Sequence, residues 1–168
     1  MNEDLISKKE LNFILKFIQI NENLFEKNTV SPNRKFLSSI NSVKLFFDIK
    51  KRILIKENIL YNYIDDVGDY YRDFIGIITN GGKIHNHIDR SPIPGYDLVR
   101  FNLFLSIPKK GGFPIYNGVT IPVSIGDYVR CNSSKEFHEC EVVEGNIPRI
   151  VISYGILLKN ANNLLNYQ

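Results

Sequence analysis

Two histidines and an aspartate occupy alternate positions in the stretch KIHNHIDRSP: His85, His87 and Asp89. The remaining histidine of the chain, His138, lies far downstream. Neutral imidazoles together with one carboxylate suit a first-row divalent metal ion. The stretch is therefore either part of a metal site or a polar strand that happens to be rich in histidine.

Turn signals divide the chain after residue 70 into short apolar runs, about every 8–12 residues, which is typical of an all-β sandwich or barrel. The Asn117-Gly118 pair is the strongest hairpin signal among them. Eight short strands suit a jelly-roll double sheet, also called a double-stranded β-helix. We predict strands over residues 72–79, 83–89, 98–107, 113–116, 119–124, 127–132, 136–143 and 148–158.

The N-terminal part predicts helices instead. Ser7 and Glu10 form a capping-box pattern before apolar residues at helical spacing, which predicts a helix over 8–20. Residues 29–34 indicate a loop, and a second helix is predicted over 42–58, although its RILI segment would suit a strand equally well. Its buried side would consist of Val43, Phe46, Phe47, Ile49 and Ile53.

We therefore expect a mainly β protein of one domain, 1–168. It would comprise an N-terminal helical support region (1–69), a jelly-roll catalytic core (70–158) and a tail (159–168).

Composition excludes several classes of function. The net charge is only +3, and short basic clusters such as Lys50-Lys51-Arg52 indicate solvated faces, so nucleic acid is not favoured as a partner. No apolar run predicts a membrane helix or a signal peptide. Cys131 and Cys140 do not form a disulfide framework, so we expect buried thiols in a reducing cytoplasm. The sequence does not indicate an oligomeric state.

Alternate residues of a strand share a face, so the predicted strands indicate which polar side chains lie on the same face. Arg100 and Asn102 share one face of strand 98–107, while His138 and Arg149 lie on the last two strands. If these faces line the interior, they gather imidazoles, a carboxylate and guanidiniums. Two histidines and one carboxylate with open positions describe the facial triad of non-haem iron(II) oxygenases.

Taken in order, His87-Ile88-Asp89, His138 and Arg149 resemble the pattern of the iron(II)/2-oxoglutarate-dependent dioxygenase superfamily. That pattern is His-x-Asp, a distal histidine, and an arginine on the last barrel strand. The spacings here are 49 residues from Asp89 to His138 and 11 from His138 to Arg149. The resemblance covers about residues 70–158.

The resemblance implies that His87, Asp89 and His138 bind Fe(II), and that Arg149 binds the distal carboxylate of 2-oxoglutarate, a cosubstrate used together with O2. It implies hydroxylation of an amino-acid or peptide or protein side chain, with release of succinate and CO2. Ser153 stands four residues after Arg149, about 13 Å along a strand, so we do not expect the two to share a carboxylate.

The segment RFNLFLSIP also resembles the aspartyl/asparaginyl β-hydroxylase branch. That branch carries Arg-x-His where this chain has Arg100 and Asn102, and it lacks the metal carboxylate supplied here by Asp89. The chain is therefore similar to a general hydroxylase near the prolyl and aspartyl/asparaginyl hydroxylases. Arg100 and Asn102 either contact the cosubstrate or pair with acidic neighbours such as Asp127.

Several assignments stay open. His85 either lies behind a metal ligand or contacts the substrate, or it is a surface histidine. Tyr96, with the prolines before it, belongs either to a substrate lid or to a plain surface loop. The alternative functions are a cupin-like metalloenzyme that does not use 2-oxoglutarate and takes His85 as a further ligand, or a non-enzymatic jelly-roll binding module.

Overall fold

The first helix begins at a reciprocal pair of hydrogen bonds between Ser7 and Glu10. Ser7 Oγ accepts from the backbone nitrogen of Glu10 (3.2 Å), and the Glu10 carboxylate accepts from the backbone nitrogen of Ser7 (2.8 Å). This capping box fixes the start of α1 (Lys8–Ile20), which confirms the prediction. Ile14 and Ile18, one turn apart, bury one side of the helix.

The second helix, α2 (Lys44–Lys56), includes the RILI segment, which is therefore helical. Phe46, Ile49 and Ile53 lie at helical spacing and are fully buried. The expectation for Phe47 is wrong, because that side chain is 39% exposed. It follows Phe46 by one residue and so lies about 100° further around the helix, off the buried side.

A computed structural model describes residues 5–31, 33–38, 40–61, 63–65 and 73–159 of the 168-residue chain. No helix in these ranges is long and apolar enough to cross a membrane. The strands described there are β1 (Glu26–Lys27), β2 (Arg34–Ser38), β3 (Tyr63–Ile64), β4 (Phe74–Ile78), β5 (Ile84–His87), β6 (Tyr96–Ser106), β7 (Pro114–Tyr116), β8 (Val119–Thr120), β9 (Tyr128–Cys131), β10 (His138–Cys140) and β11 (Arg149–Lys159).

The strands β4 to β11 form a jelly roll of two antiparallel sheets, as the turn rhythm predicts. The major sheet has the order β4-β11-β6-β9, and the minor sheet has the order β5-β10-β7-β8. Among the described residues, β2 extends the major sheet beyond β4, β1 pairs with β2, and β3 pairs with β11. The molecule is thus mainly β with N-terminal helices.

The structure corrects three expected boundaries. The strand predicted over 119–124 is only two residues long, and the loop predicted over 29–34 ends at Arg34, where β2 begins. Tyr96, expected in a loop, is the first residue of β6. The division into support region, core and tail stays a prediction, because residues 66–72 and 160–168 lie outside the described ranges.

The two faces of the major sheet have different partners. Val99, Phe101 and Leu103 of β6 belong to the hydrophobic core that also contains the buried residues of both helices. The alternate residues Arg100 and Asn102 lie on the opposite face, which lines a cavity between the sheets. The helices therefore support one face of the sheet and leave the other available for the site.

A buried ion pair ties α2 to the major sheet. Lys50 is only 2% exposed and donates to both carboxylate oxygens of Asp73 (2.9 and 3.0 Å) and to the carbonyl of Gly155 on β11 (3.0 Å). It also contacts Asp65. The expectation that this basic cluster is a solvated face is therefore wrong for Lys50. The folded state has removed its charge from water and must supply the compensating charge.

Replacing Lys50 by methionine should destabilise the fold by about 3–5 kcal/mol, because Asp73 is left buried without its cation. The free energy of unfolding in urea measures this loss, with a chelator present so that bound metal does not contribute. The matched control is Lys44→Met on the same helix, whose exposed pair with Asp48 contributes about 0.5 kcal/mol or less. Equal losses in the two variants would contradict this role of Lys50.

Candidate metal centre

The cavity between the sheets has a volume of about 420 Å³ and is lined by strands of both. His87, Asp89 and His138 lie along its wall, together with Arg149 from the opposite sheet. A separate cavity of about 650 Å³ lies beside α1 and the segment after β8, and no histidine lines it. The groups capable of metal chemistry are therefore gathered in the inter-sheet cavity.

His87 and His138 are direct cross-strand neighbours. They are paired in the antiparallel register of β5 and β10, and their ring centroids lie 4.2 Å apart. Asp89 follows β5 by two residues, where its backbone nitrogen donates to the carbonyl of Ser133 (2.8 Å). One potential ligand atom from each of His87, Asp89 and His138 lies within 4.8 Å of the others.

Hydrogen bonds set the tautomers of both imidazoles. His87 Nδ1 lies 2.7 Å from the carbonyl of His85, and His138 Nδ1 lies 2.9 Å from the carbonyl of Glu136. A carbonyl can only accept, so each Nδ1 carries a proton and donates it. In the neutral rings the lone pairs are then on Nε2, the atoms that lie 3.4 and 3.8 Å from the Asp89 carboxylate. The donor set fits a divalent metal ion.

Local charges shape the three ionisable groups. Burial by itself would raise the pKa of Asp89, but the contact with His87 and the charge of Arg100 bring it below its usual value. The Asp89 contact raises the pKa of His87, whereas burial lowers the pKa of His138. At neutral pH the site thus presents an ionised carboxylate, as a cation requires.

A β-bulge separates His85 from the site. Ile84 pairs with Cys140 and His87 pairs with His138, so three steps along β5 face two steps along β10. The extra residue breaks the alternation that would place His85 on the same face as His87. His85 is exposed and does not line the cavity. Its side chain is a surface group, although its carbonyl orients His87.

Arg149 stands at the start of β11 and is 4% exposed. Its guanidinium packs over the ring of Phe104 (5.2 Å), and among the described residues its Nε has no hydrogen-bond partner. Burial lowers the pKa of Arg149, yet a guanidinium in a protein stays protonated. A buried, incompletely paired cation of this kind requires an anion.

Tyr116 is a cavity residue that the sequence did not reveal. It pairs with His138 in register, and its hydroxyl accepts a hydrogen bond from Asn102 Nδ2 (3.1 Å). Burial raises the pKa of this hydroxyl to about 12, so the oxygen keeps a proton that it can donate. In the sequence Tyr116 only marks the end of a strand before the Asn117-Gly118 turn, although its side chain faces the cavity.

The other predicted residues have mixed placements. Arg100 lines the cavity and contacts Asp89 (3.7 Å) and Ser153 (3.4 Å), while the Asp127 carboxylate accepts from the backbone of Ser124. Tyr96 pairs with Lys159 at the far end of β6 and does not line the cavity. Cys140 is buried beside Ile78 and Val143, as expected of an apolar filler.

The fold and the site together define a jelly-roll protein with a potential His-Asp-His metal centre. The structure is similar to HygX from Streptomyces hygroscopicus, solved with nickel and 2-oxoglutarate (TM-score 0.66, 11% identity, 94% of this chain and 81% of that chain). It is equally similar to a prolyl-4-hydroxylase from Pseudomonas putida (TM-score 0.66, 11% identity, 95% and 91%).

A third similar structure is the epimerase SnoN, solved with Fe3+, alpha ketoglutarate and nogalamycin RO (TM-score 0.70, 10% identity, 93% and 77%). These likenesses show a shared fold. No protein-family model matches the chain, and no curated protein sequence matches it.

Replacing His138 by alanine should raise the Kd for Co(II) by about 100-fold or more, because it removes one of three converging ligands. Isothermal titration with Co(II) measures this Kd. His85→Ala is the matched control, since it keeps the carbonyl that orients His87 and should leave the Kd unchanged. A loss of metal stoichiometry in His85→Ala would favour the cupin-like alternative.

Proposed function

We propose that the protein is an Fe(II)- and 2-oxoglutarate-dependent oxygenase that hydroxylates an amino-acid or peptide or protein side chain. The observation that carries the proposal is the joint placement, in one cavity, of a His-Asp-His face and the buried guanidinium of Arg149. Metal ligands alone would suit many enzymes. The neighbouring cation with an unpaired Nε adds a site for a carboxylate.

The metal would be held by Nε2 of His87, a carboxylate oxygen of Asp89 and Nε2 of His138. The Nδ1 hydrogen bonds to backbone carbonyls hold both rings in the tautomer that coordination requires. Three ligands leave positions open on the ion, which fits Fe(II) together with a chelating cosubstrate and O2. A fourth protein ligand would close the site, and His85 lies outside the cavity.

The cosubstrate carboxylate would be bound by Arg149 and Tyr116. Arg149 offers a planar fork of donors, and Tyr116 offers a hydroxyl proton because Asn102 occupies its acceptor side. Two of the similar structures, HygX and SnoN, were solved with 2-oxoglutarate or alpha ketoglutarate, which supports this assignment. Asn102 would then act through Tyr116, as a positioning residue.

When bound, Fe(II), 2-oxoglutarate and O2 would together supply the oxidising chemistry, with succinate and CO2 as products. The contribution of the chain is to position the reactants and to exclude water. Phe104 and Val151 provide an apolar wall beside Arg149, and Phe74 packs against Arg100 (5.2 Å). Such a wall strengthens the electrostatic contacts of the bound carboxylate.

The partner would be a small molecule or a peptide or protein side chain. The P. putida structure is a prolyl-4-hydroxylase, which favours hydroxylation, while SnoN is an epimerase. Epimerisation is therefore the second candidate outcome for the same site.

Both cysteines are free and buried, which is consistent with the reducing cytoplasm expected from the sequence.

Purified protein with Fe(II) should bind 2-oxoglutarate and, with O2, convert it to succinate. Arg149→Gln should raise the Kd for 2-oxoglutarate by roughly 10- to 100-fold, because charge-assisted hydrogen bonds worth about 1.5–3 kcal/mol are lost. The anaerobic charge-transfer absorption of the iron–oxo-acid chelate measures this Kd.

Tyr116→Phe should give a smaller increase in the same Kd, of roughly 2- to 10-fold, because one neutral hydrogen bond is removed. Arg130→Gln is the control, since Arg130 lies on the surface and pairs with Glu57. Folded wild-type protein that binds Fe(II) but shows no affinity for 2-oxoglutarate would overturn the proposed function.

A further inference from the structure

A third arginine lines the cavity besides Arg100 and Arg149, and it comes from outside the eight-stranded core. Arg34 begins β2, the strand that extends the major sheet beyond β4. In register, Arg34 pairs with Ile78 and Ile78 pairs with Arg149, so the three residues form one row across the sheet. Two strand spacings place the backbones of Arg34 and Arg149 about 10 Å apart.

The Arg34 side chain is half-buried in the cavity wall, and no carboxylate of the described residues pairs with it. Burial lowers the pKa of Arg34, and neither Asp89 nor Glu139, the acidic residues along this wall, forms an ion pair with it in the described part of the chain. A cation that is partly removed from water and left unpaired is destabilising. A bound anion would offset the cost of removing this charge from water.

The position of Arg34 differs from that of Arg149. Arg149 is buried against Phe104 at the start of β11, whereas Arg34 lies two strands away on β2 and is only half-buried. Arg34 and His87 line the same cavity, and their side chains are more exposed than those of Arg149 and His138. Arg34 thus lies in a more open part of the cavity than Arg149.

The balance of charge in the loaded cavity leaves room for a further anion. The cavity is lined by Arg34, Arg100 and Arg149 and by the carboxylates of Asp89 and Glu139. A divalent metal ion and doubly charged 2-oxoglutarate would cancel each other, so the loaded cavity keeps a net positive charge. Among the described residues, Arg100 contacts Asp89. Arg149 is assigned to the cosubstrate, which leaves Arg34 for another anion.

We propose that Arg34 binds a carboxylate of the substrate, so that the substrate is a molecule with a free carboxylate group, held in the more open part of the cavity. This inference rests on the proposed function, because it assigns Arg149 to the cosubstrate. Phe36 follows on the same face of β2 and provides apolar surface next to the bound carboxylate. Arg34 is then a specificity-determining residue.

The test uses acetate as the probe of a bare carboxylate and acetamide as its uncharged isostere. The full chain, labelled with ¹⁵N, is loaded with Zn(II) and saturating 2-oxoglutarate, and the arginine Nε–H signals are followed by NMR. The Arg34 signal is identified by its loss in Arg34→Gln. We expect acetate, and not acetamide, to shift this signal saturably while 2-oxoglutarate stays bound.

Variants of Arg34 and Arg149 test whether the two arginines bind different carboxylates. Arg34→Gln should weaken acetate binding by about tenfold or more and leave the Kd for 2-oxoglutarate unchanged, whereas Arg149→Gln should weaken 2-oxoglutarate binding. Arg34→Lys keeps the charge and should retain part of the acetate affinity. The Arg130 signal is the internal control for non-specific association, since Arg130 is exposed and paired. Thermal unfolding verifies that each variant is folded.

Two outcomes would overturn the assignment of Arg34: a signal that does not respond saturably to acetate, or a loss of 2-oxoglutarate affinity in Arg34→Gln equal to that in Arg149→Gln. The second would mean that both arginines serve the cosubstrate, and the proposed function would stand. Absence of 2-oxoglutarate binding in the wild type would instead refute the proposed function, and the acetate titration of the Zn(II) protein would still report on Arg34.

Discussion

The pairing of β5 with β10 is the constraint on which the site depends. It places His87 opposite His138 at the distance of a cross-strand neighbour, and its bulge turns both Ile84 and His87 toward the cavity. Asp89 follows directly and is held by the backbone of Ser133. The candidate metal ligands are thus positioned largely by backbone hydrogen bonds, so their geometry does not depend on long, flexible side chains.

Positive charge inside the cavity is the second organising feature. The apolar contacts of Arg149 with Phe104 and of Arg100 with Phe74 hold guanidiniums in an environment that solvates them poorly. The folded state tolerates this because the opposite face of the sheet buries a large apolar core. The apolar core on one face of the sheet stabilises the fold, which allows charged side chains to be buried on the other face.

Local and periodic signals predicted much of this architecture. The Ser7–Glu10 capping box located α1, and the turn rhythm indicated the eight strands. The resemblance to the iron(II)/2-oxoglutarate-dependent dioxygenase pattern selected His87, Asp89, His138 and Arg149, which do line one cavity. These features are encoded within a few residues or within an ordered pattern of strands. The same reasoning placed Arg100 and Asn102 on the cavity face of β6.

The features that the sequence did not predict depend on pairing between distant segments of the chain. The bulge that excludes His85 exists only in the register of β5 against β10, and strict alternation cannot reveal it. Arg34 looked like a loop residue because β2 is defined by its partner β4, which follows much later in the chain. Lys50 looked solvated because its partners Asp73 and Gly155 lie on other elements.

The long, almost fully buried strand β11 has a consequence for the way the protein acquires its structure. β11 lies between β4 and β6 in the major sheet, yet it is the last of the described strands in chain order. Until β11 inserts, the two inner edges of that sheet are unpaired templates for misassociation, and folding must wait for contacts between distant parts of the chain. Because Arg149 is the first residue of β11, the pairing of this strand completes the major sheet and at the same time places the Arg149 guanidinium in the cavity. Partly folded chains in which β11 is unpaired consequently lack the buried guanidinium of Arg149 in the cavity.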